Sequence, residues 1–196
     1  MAKVLIQFAH PTLSKSNVQK TLENYARKVP GVTFNDLYEH YPDLFIDVKR
    51  EQKLLLEHDI VIFQHPFYWY SSPPILKQWQ DLVLEYNWAY GPKGYALKGK
   101  KIFNAMSCGG GRDAYASSGY NRFPVSQYLL PFNQTAFLCR MEYLPPFVVH
   151  ETYTIENYEL KMYGEHYASL LAALVHDDLN LAELGQVEYL NELFKE

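Results

Sequence analysis

Five short runs rich in β-branched and aromatic residues alternate with helix-like segments along this 196-residue chain. The runs occupy residues 3–8, 32–37, 59–64, 101–106 and 143–150. The run at 59–64 is mainly apolar, which is typical of a strand covered on both faces. Parallel strands need crossover connections, so strands that alternate with helices form parallel sheets. The alternation predicts an α/β fold with a five-stranded parallel sheet and helices on both faces.

The intervening segments predict helices with one apolar face. They span residues 18–29, 48–57, 75–86, 126–138 and 155–176, and a short helical tail follows at 181–194. In the helix at 48–57 we expect residues 49–51 to face solvent and residues 54–55 to face the core. No repeat, low-complexity segment or linker divides the sequence, so it predicts a single domain over residues 1–196.

Charge and cysteine content argue against several classes of protein. The formal net charge is −4 and the longest basic run is the pair Lys100-Lys101, which argues against nucleic-acid binding. Cys108 and Cys139 cannot build a disulfide framework, and neither they nor the histidines show metal-ligand spacing. The cysteines predict a reducing, cytoplasmic setting. No apolar segment approaches the roughly 20 residues of a spanning helix.

Three unusual loops each follow a predicted strand. They lie at residues 11–17, 66–72 and 107–111. In a doubly wound sheet of order 2-1-3-4-5, the first, third and fourth strands are neighbours, so these loops converge on one edge. Ligands of open α/β sheets bind at that edge, where the strand order reverses. We therefore expect a ligand site formed by the three loops.

The first loop is rich in hydroxyl groups and leads into a helix. Ser14, Ser16 and Asn17 offer side-chain donors beside free backbone amides at the positive end of a helix dipole, which favours phosphate binding. The loop lacks the glycine patterns that bind pyrophosphate or nucleoside triphosphates. Helix capping alone explains the same residues equally well.

The other two loops have distinct compositions. Residues 67–70 place four aromatic side chains in succession, which suits stacking on a flat heteroaromatic ring or a dimer interface. Residues 107–111 end in three glycines, so their backbone can approach a ligand and donate amide hydrogen bonds. A flexible turn would have the same composition.

Seven motifs along the chain recur together in a known family. They lie at residues 9–11, 14–17, 64–74, 76–79, 88–91, 109–111 and 144–147. In combination they resemble the flavodoxin-like NAD(P)H:quinone oxidoreductases. The resemblance is strongest to the bacterial branch that contains ancillary oxidoreductase subunits of glutathione-regulated potassium-efflux systems.

The resemblance implies a flavodoxin-like fold, FMN rather than FAD as cofactor, NAD(P)H as substrate, a quinone or similar acceptor, and a homodimer. The cofactor-binding residues that it implies are His10, Ser14, Ser16, Asn17, Phe67, Tyr68, Trp69, Tyr70, Ser107, Cys108, Gly109 and Gly110. The catalytic helpers that it implies are Tyr115, Gly109 and Gly110. The family's paired threonines are replaced by Ser107 and Cys108, which puts a side-chain contact at Cys108 in question. We find no counterpart for the histidine that accompanies the tyrosine in animal members.

Two other functions compete with the enzyme. The family branch includes regulatory ancillary subunits of a potassium-efflux antiporter, with or without enzyme activity. Any contact with the inner membrane would then run through a protein partner. A flavodoxin-like electron carrier fits less well, because such carriers usually lack the His-Pro start and the aromatic loop.

Overall fold

The computed structural model of the protein describes residues 1–178, 184 and 187–194. Its centre is one parallel sheet in the order β2-β1-β3-β4-β5, with β6 also paired to β4. The strands are β1 (Val4–Phe8), β2 (Val32–Asp36), β3 (Ile60–Pro66), β4 (Lys101–Ser107), β5 (Glu142–Tyr143) and β6 (Phe147–Val149). The predicted order 2-1-3-4-5 and the α/β class are confirmed.

The fifth position in the sheet is divided between two segments. A single strand at 143–150 was the prediction, but Pro145 and Pro146 lie in its middle, and proline has no N–H to donate to a neighbouring strand. The chain therefore pairs with β4 as β5 at its start and as β6 at its end.

Helices cover both faces of the sheet. They are α1 (Asn17–Ala26), α2 (Leu37–His40), α3 (Val48–Glu57), α4 (Pro74–Val83), α5 (Val125–Tyr128), α6 (Leu130–Leu138) and α7 (Asn157–His176). Short 3-10 helices lie at Leu13–Lys15, Asp113–Tyr115 and Leu190–Phe194. The predicted helix at 126–138 is two helices, α5 and α6. Residues 181–183 and 185–186 of the predicted tail lie outside the described residues.

The apolar strands sort their side chains between two cores. Val4, Ile6 and Phe8 of β1 pack against α1 and α7, while Leu5 and Ala9 pack on the opposite face, beneath α3, α4 and α6. Successive residues of a strand point to opposite faces, so a strand with a core on each side is apolar throughout. Within the described part of the chain, no helix combines the length and apolar character needed to cross a membrane.

One expectation about α3 is wrong. Glu51 was predicted to face solvent with Lys49 and Arg50, but its side chain is fully buried. It lies one helical turn before the buried Leu55, and residues four apart share a helix face. Lys49 is exposed as predicted.

Candidate cofactor site

A polar cavity of about 330 Å³, here called the strand-end cavity, opens where β1, β3 and β4 end. The predicted residues that line it are His10, Ser16, Asn17, Phe67, Tyr68, Ser107 and Gly109. A larger groove of about 430 Å³ lies beside β5, α5 and α6. The strand-end cavity holds residues from all three predicted loops, and it lies at the edge where open α/β sheets bind ligands. We therefore take it as the candidate site.

The N-terminus of α1 forms one wall of the cavity. Ser16 is the N-cap, and its Oγ accepts the backbone N–H of Gln19 at 3.2 Å. The amides of Asn17 and Val18 come first in the helix, so they have no carbonyl four residues back to bind. Both residues line the cavity, as does the cationic Lys15. This wall offers free N–H donors at the positive end of the helix dipole, which is suited to an anion.

His10 adds a further donor beside this helix. Its Nδ1 accepts the backbone N–H of Thr12 at 3.1 Å, so the neutral ring carries its proton on Nε2. Burial lowers the pKa of His10, which favours the neutral ring. The predicted phosphate ligand Ser14 lies outside the cavity lining. It is exposed, and its carbonyl accepts a hydrogen bond from Lys20.

The glycine loop forms the opposite wall. Among the described residues, the amides of Gly109 and Gly110 donate to no carbonyl or side-chain acceptor. A Cβ added to Gly109 would lie 2.3 Å from Cε2 of Tyr153, so a larger residue here would displace this exposed ring. Gly109 and Tyr153 both line the cavity. Glycine has no side chain to keep a ligand away from its backbone, so these free amides can donate hydrogen bonds to an acceptor atom of a ligand at the cavity edge.

The four successive aromatic residues point in different directions. Phe67 is buried, and Tyr68 lines the cavity. Trp69 is 92% exposed, and the Tyr70 ring stacks on Tyr128 with ring centroids 5.1 Å apart. Trp69 and Tyr70 lie outside the cavity lining of the single chain, so their role in cofactor binding stays a prediction.

The turn that carries Trp69 and Tyr70 is strained. The Ser71 amide donates to the Tyr68 carbonyl at 3.0 Å, and the two central residues have φ of 48° and 63°. Two positive φ angles are typical of a type I′ turn, which ordinarily holds asparagine and glycine. Left-handed backbone costs about 1–2 kcal/mol for each residue with a Cβ. Such strain is concentrated at functional sites, and here it holds Trp69 in solvent beside the cavity.

Cys108 faces away from the strand-end cavity. Its thiol is 2% exposed, and Sγ lies 3.2 Å from Nδ1 of His150. Burial raises the pKa of the Cys108 thiol to about 12. Ser107 precedes it on the extended strand and lines the cavity, because neighbouring residues of a strand point to opposite faces. The backbone N–H of Cys108 donates to the Val149 carbonyl, and its carbonyl accepts from the Thr152 amide, so neither group is free for a ligand.

We expect both cysteines to resist alkylation in the folded protein. With pKa values of about 12 for Cys108 and about 11 for Cys139, almost no thiolate is present at pH 8, whereas an ordinary thiol is about one-quarter ionised. Iodoacetamide labelling followed by mass spectrometry should find neither cysteine modified at pH 8 and both modified in urea. Rapid labelling of Cys108 in the native protein would show instead a reactive thiol.

Tyr115 has a histidine neighbour that the sequence analysis missed. Tyr115 is buried, and its ring centroid lies 5.9 Å from that of His150, which follows β6. Burial raises the pKa of Tyr115 and lowers that of His150, so both groups are neutral at neutral pH. A different element of the fold therefore places a histidine beside Tyr115, on the side of the glycine loop where Cys108 also packs.

Other lining residues also escaped prediction. They are Thr12, Lys15, Val18, Pro66, Thr152 and Tyr153. Thr152 and Tyr153 follow β6, so the rule that ligands bind at strand ends would have indicated them had it been applied to the last strand. Across the described residues, no cluster of histidine, cysteine or carboxylate side chains could hold a metal ion.

The sheet order and the polar cavity at its central strand ends define a flavodoxin-like α/β protein with a candidate ligand site. The chain belongs to the family described by the flavodoxin-like fold model, which matches residues 2–171. The resemblance to NAD(P)H oxidoreductases, quinone reductases and potassium-efflux ancillary proteins is confirmed.

Two curated relatives cover most of the chain. The uncharacterized NAD(P)H oxidoreductase YdeQ from Bacillus subtilis (strain 168) is 44% identical over 165 residues, which are 84% of this chain and 84% of YdeQ. The glutathione-regulated potassium-efflux system ancillary protein KefG from Enterobacter sp. (strain 638) is 41% identical over 172 residues, which are 88% of this chain and 94% of KefG.

Two solved structures share the fold. General stress protein 14 from Treponema denticola, in complex with FMN, matches with a TM-score of 0.84 and 43% identity over 88% of this chain and 99% of its own. An NADPH-quinone reductase from P. pentosaceus matches with a TM-score of 0.79 and 32% identity over 86% of this chain and 97% of its own.

Proposed function

We propose that this protein is an FMN-dependent oxidoreductase that takes electrons from NAD(P)H and passes them to a quinone or a similar acceptor. The observation that carries the proposal is the strand-end cavity, which has an anion-binding helix N-terminus on one wall and free glycine amides on the other. FMN combines a phosphate and a flat ring with several acceptor atoms. A 43% identical relative was crystallised with FMN, which supports the same cofactor here.

The donors of the cavity fit the two ends of such a ligand. The amides of Asn17 and Val18, the Lys15 ammonium and the Nε2–H of His10 would hold the phosphate. The amide of Gly109 and the hydroxyl of Ser107 line the cavity and would face the ring edge, with Tyr68 as an aromatic wall; the free amide of Gly110 follows just outside the lining. FMN, when bound, supplies the redox chemistry, because it can accept a hydride and release it to a second substrate.

The protein itself contributes orientation and electrostatics. The amides of Gly109 and Gly110 are fixed donors, and fixed donors stabilise negative charge that develops on a bound ring. Tyr115 packs beneath this loop, where a Cβ on Gly110 would lie 3.1 Å from its Cε2. Its raised pKa keeps the phenol protonated, so Tyr115 supports the loop as a neutral group. No protein acid or base is required.

An anaerobic absorbance experiment tests this function. Purified protein loaded with FMN is mixed first with NADPH or NADH and then with menadione. We expect the flavin bands to bleach with the nucleotide and to return with the quinone. Protein that fails to take up FMN, or holds FMN that NAD(P)H does not reduce, contradicts the proposal.

We further propose that the protein is a homodimer in which the partner covers Trp69. A tryptophan that is 92% exposed on a strained turn beside a ligand cavity is typical of an interface anchor. Trp69→Ala should weaken dimerisation by about 30-fold or more, since interface hot spots contribute at least ~2 kcal/mol. Light scattering across a dilution series measures this. Phe45→Ala, at a residue 83% exposed on another loop, should leave the dimer intact; equal effects would remove Trp69 from the interface.

A second candidate function follows from the KefG relative. Its name describes an ancillary protein of a potassium-efflux system, and KefG is matched over 94% of its length. In this function the protein would act in the cytoplasm and reach the membrane only through the efflux protein. Co-expression with the cation–proton antiporter encoded nearest its gene tests it, with potassium efflux as the readout. Efflux that does not change when the protein is present would exclude this role.

A further inference from the structure

A buried amide connects the phosphate helix to the strand ends. Gln19 lies on α1 one turn after the cap Ser16, and its side chain is fully buried. Its Nε2 donates to the His65 carbonyl at 3.1 Å and to Ser107 Oγ at 2.9 Å. His65 belongs to β3 and Ser107 ends β4, so one side chain joins three elements that surround the cavity.

The orientation of this amide follows from its partners. The His65 carbonyl can only accept, so the nitrogen of the Gln19 side chain must face it. Both protons of that nitrogen are then used, one by His65 and the other by Ser107. The oxygen of the Gln19 side chain accepts from Gln64 Nε2 at 3.1 Å, so both the nitrogen and the oxygen of the side-chain amide are hydrogen-bonded. If the Gln19 amide were reversed, its side-chain oxygen would face the buried carbonyl oxygen of His65, and two acceptors would lie against each other.

The fixed amide determines the direction of the Ser107 hydroxyl. Because Gln19 donates to Ser107 Oγ, the Ser107 proton cannot point back to Gln19. In the described structure, the Ser107 hydroxyl has no other side-chain or backbone partner, and Ser107 lines the cavity. The proton is therefore available only toward the cavity.

We propose that Gln19 is a positioning residue that commits Ser107 to donate its hydroxyl proton to an acceptor atom of the bound ligand. The inference rests on the proposed function, in which that ligand is FMN. A ligand that presents an acceptor at this point is favoured over one that presents a donor. Donation also stabilises the reduced ring, which carries more negative charge than the oxidised ring.

The hydrogen-bond chain continues into the core and provides a control. The hydroxyl of Tyr167, a fully buried residue of α7, donates to Gln64 Oε1 at 3.0 Å. Tyr167→Phe removes the hydrogen bond to Gln64, while the His65 carbonyl still orients the Gln19 amide. The variant should be less stable but should bind FMN with unchanged affinity.

A double-mutant cycle between Gln19 and Ser107 tests the proposal. Ser107→Ala should weaken FMN binding about 3- to 10-fold, the range for one neutral hydrogen bond, and Ser107→Thr should retain it. Gln19→Met should cause a similar loss, because the Ser107 hydroxyl is then free to turn away from the ligand. In the Ser107→Ala background, Gln19→Met should change the affinity by less than about twofold, since no hydroxyl remains to orient. Flavin fluorescence titration gives the affinities.

The reduction potential of bound FMN is the second readout. If Ser107→Ala and Gln19→Met each weaken binding of reduced FMN about threefold more than oxidised FMN, the two-electron potential falls by about 14 mV. Tyr167→Phe should leave the potential unchanged. Should Gln19→Met not fold, the nearly isosteric Gln19→Glu replaces it, and its carboxyl oxygen would draw the Ser107 proton away from the ligand.

The outcomes separate this inference from the proposed function. Wild-type protein that binds no FMN overturns both. If the wild type binds FMN but the losses of affinity caused by Ser107→Ala and Gln19→Met multiply in the double variant, the positioning role alone is overturned. Losses that do not multiply, with unchanged affinity in Tyr167→Phe, support it.

Discussion

Asn17→Pro is expected to weaken FMN binding about 10- to 150-fold, the range for one hydrogen bond to a charged group, while the fold stays intact. The substitution removes a backbone N–H from the N-terminus of α1, where the phosphate would bind. Proline is favoured at the first helical position. The preceding Ser16 has φ −109° and ψ 110°, which is close to the extended region that proline imposes on its predecessor. Flavin fluorescence titration measures the loss.

Two comparisons isolate the backbone amide. Asn17→Ala removes the same side chain but keeps the N–H, so it should bind FMN more tightly than Asn17→Pro. Riboflavin has no phosphate, so the proline and alanine variants should bind it equally. If the two variants bind FMN equally, the phosphate lies elsewhere, and the helix N-terminus has only a structural role.

The location of the site was predictable because it depends on strand order more than on side-chain detail. Three loops that follow neighbouring parallel strands must meet at one edge, and the structure brings His10, Tyr68 and Gly109 to one cavity. The helix cap was also predictable, since Ser16 is a favoured N-cap residue and caps α1. The first inference uses the strand order typical of doubly wound sheets, and the second uses only local sequence.

The lining residues Thr152 and Tyr153 were missed because the last strand, which precedes them, is irregular. Pro145 and Pro146 divide the last strand, and the loop after it carries His150 and Tyr153 to the glycine loop. The proline pair marks the break in the sequence, but no sequence pattern identifies the packing of Tyr153 beside Gly109. That packing joins residues more than 40 positions apart.

Backbone strain and buried polar networks were equally hidden. Bulky residues rarely adopt positive φ, so nothing in local preference predicts the left-handed pair Trp69 and Tyr70. A glutamine such as Gln19 is usually exposed, so its role between two strand ends is visible only when the donors and acceptors are placed in space. Polar residues at core positions are where pattern-based reasoning fails.

Glu51→Ala is expected to lower the free energy of unfolding by about 3–5 kcal/mol, because it leaves several buried donors without an acceptor at about 1–3 kcal/mol each. Glu51 is fully buried beside Arg50, whose guanidinium donates to its carboxylate. Alanine would leave the Arg50 charge without this partner, but the Arg50 side chain is 37% exposed and is therefore solvated by water. A urea unfolding series measures the change.

The neutral donors around Glu51 account for this cost. The carboxylate accepts from Gln7 Nε2 at 2.9 Å, Tyr41 Oη at 2.7 Å and Trp79 Nε1 at 2.9 Å. It also accepts from Asn35 Nδ2 at 3.1 Å. Each donor left buried and unpaired costs about 1–3 kcal/mol, less whatever water regains. This network joins β1, β2, α3 and α4, so its loss should weaken the sheet on the side opposite α1 and α7.

Glu57→Ala on the same helix is the matched control. Glu57 is an exposed carboxylate 3.9 Å from Lys53, and exposed pairs of this kind contribute at most about 1 kcal/mol. Glu51→Gln keeps the shape of the side chain but sets an amide against several donors, so it should fall between wild type and Glu51→Ala. If Glu51→Ala and Glu57→Ala destabilise the protein equally, water must enter and satisfy the vacated donors. The buried network would then specify the packing of α3 without stabilising the fold.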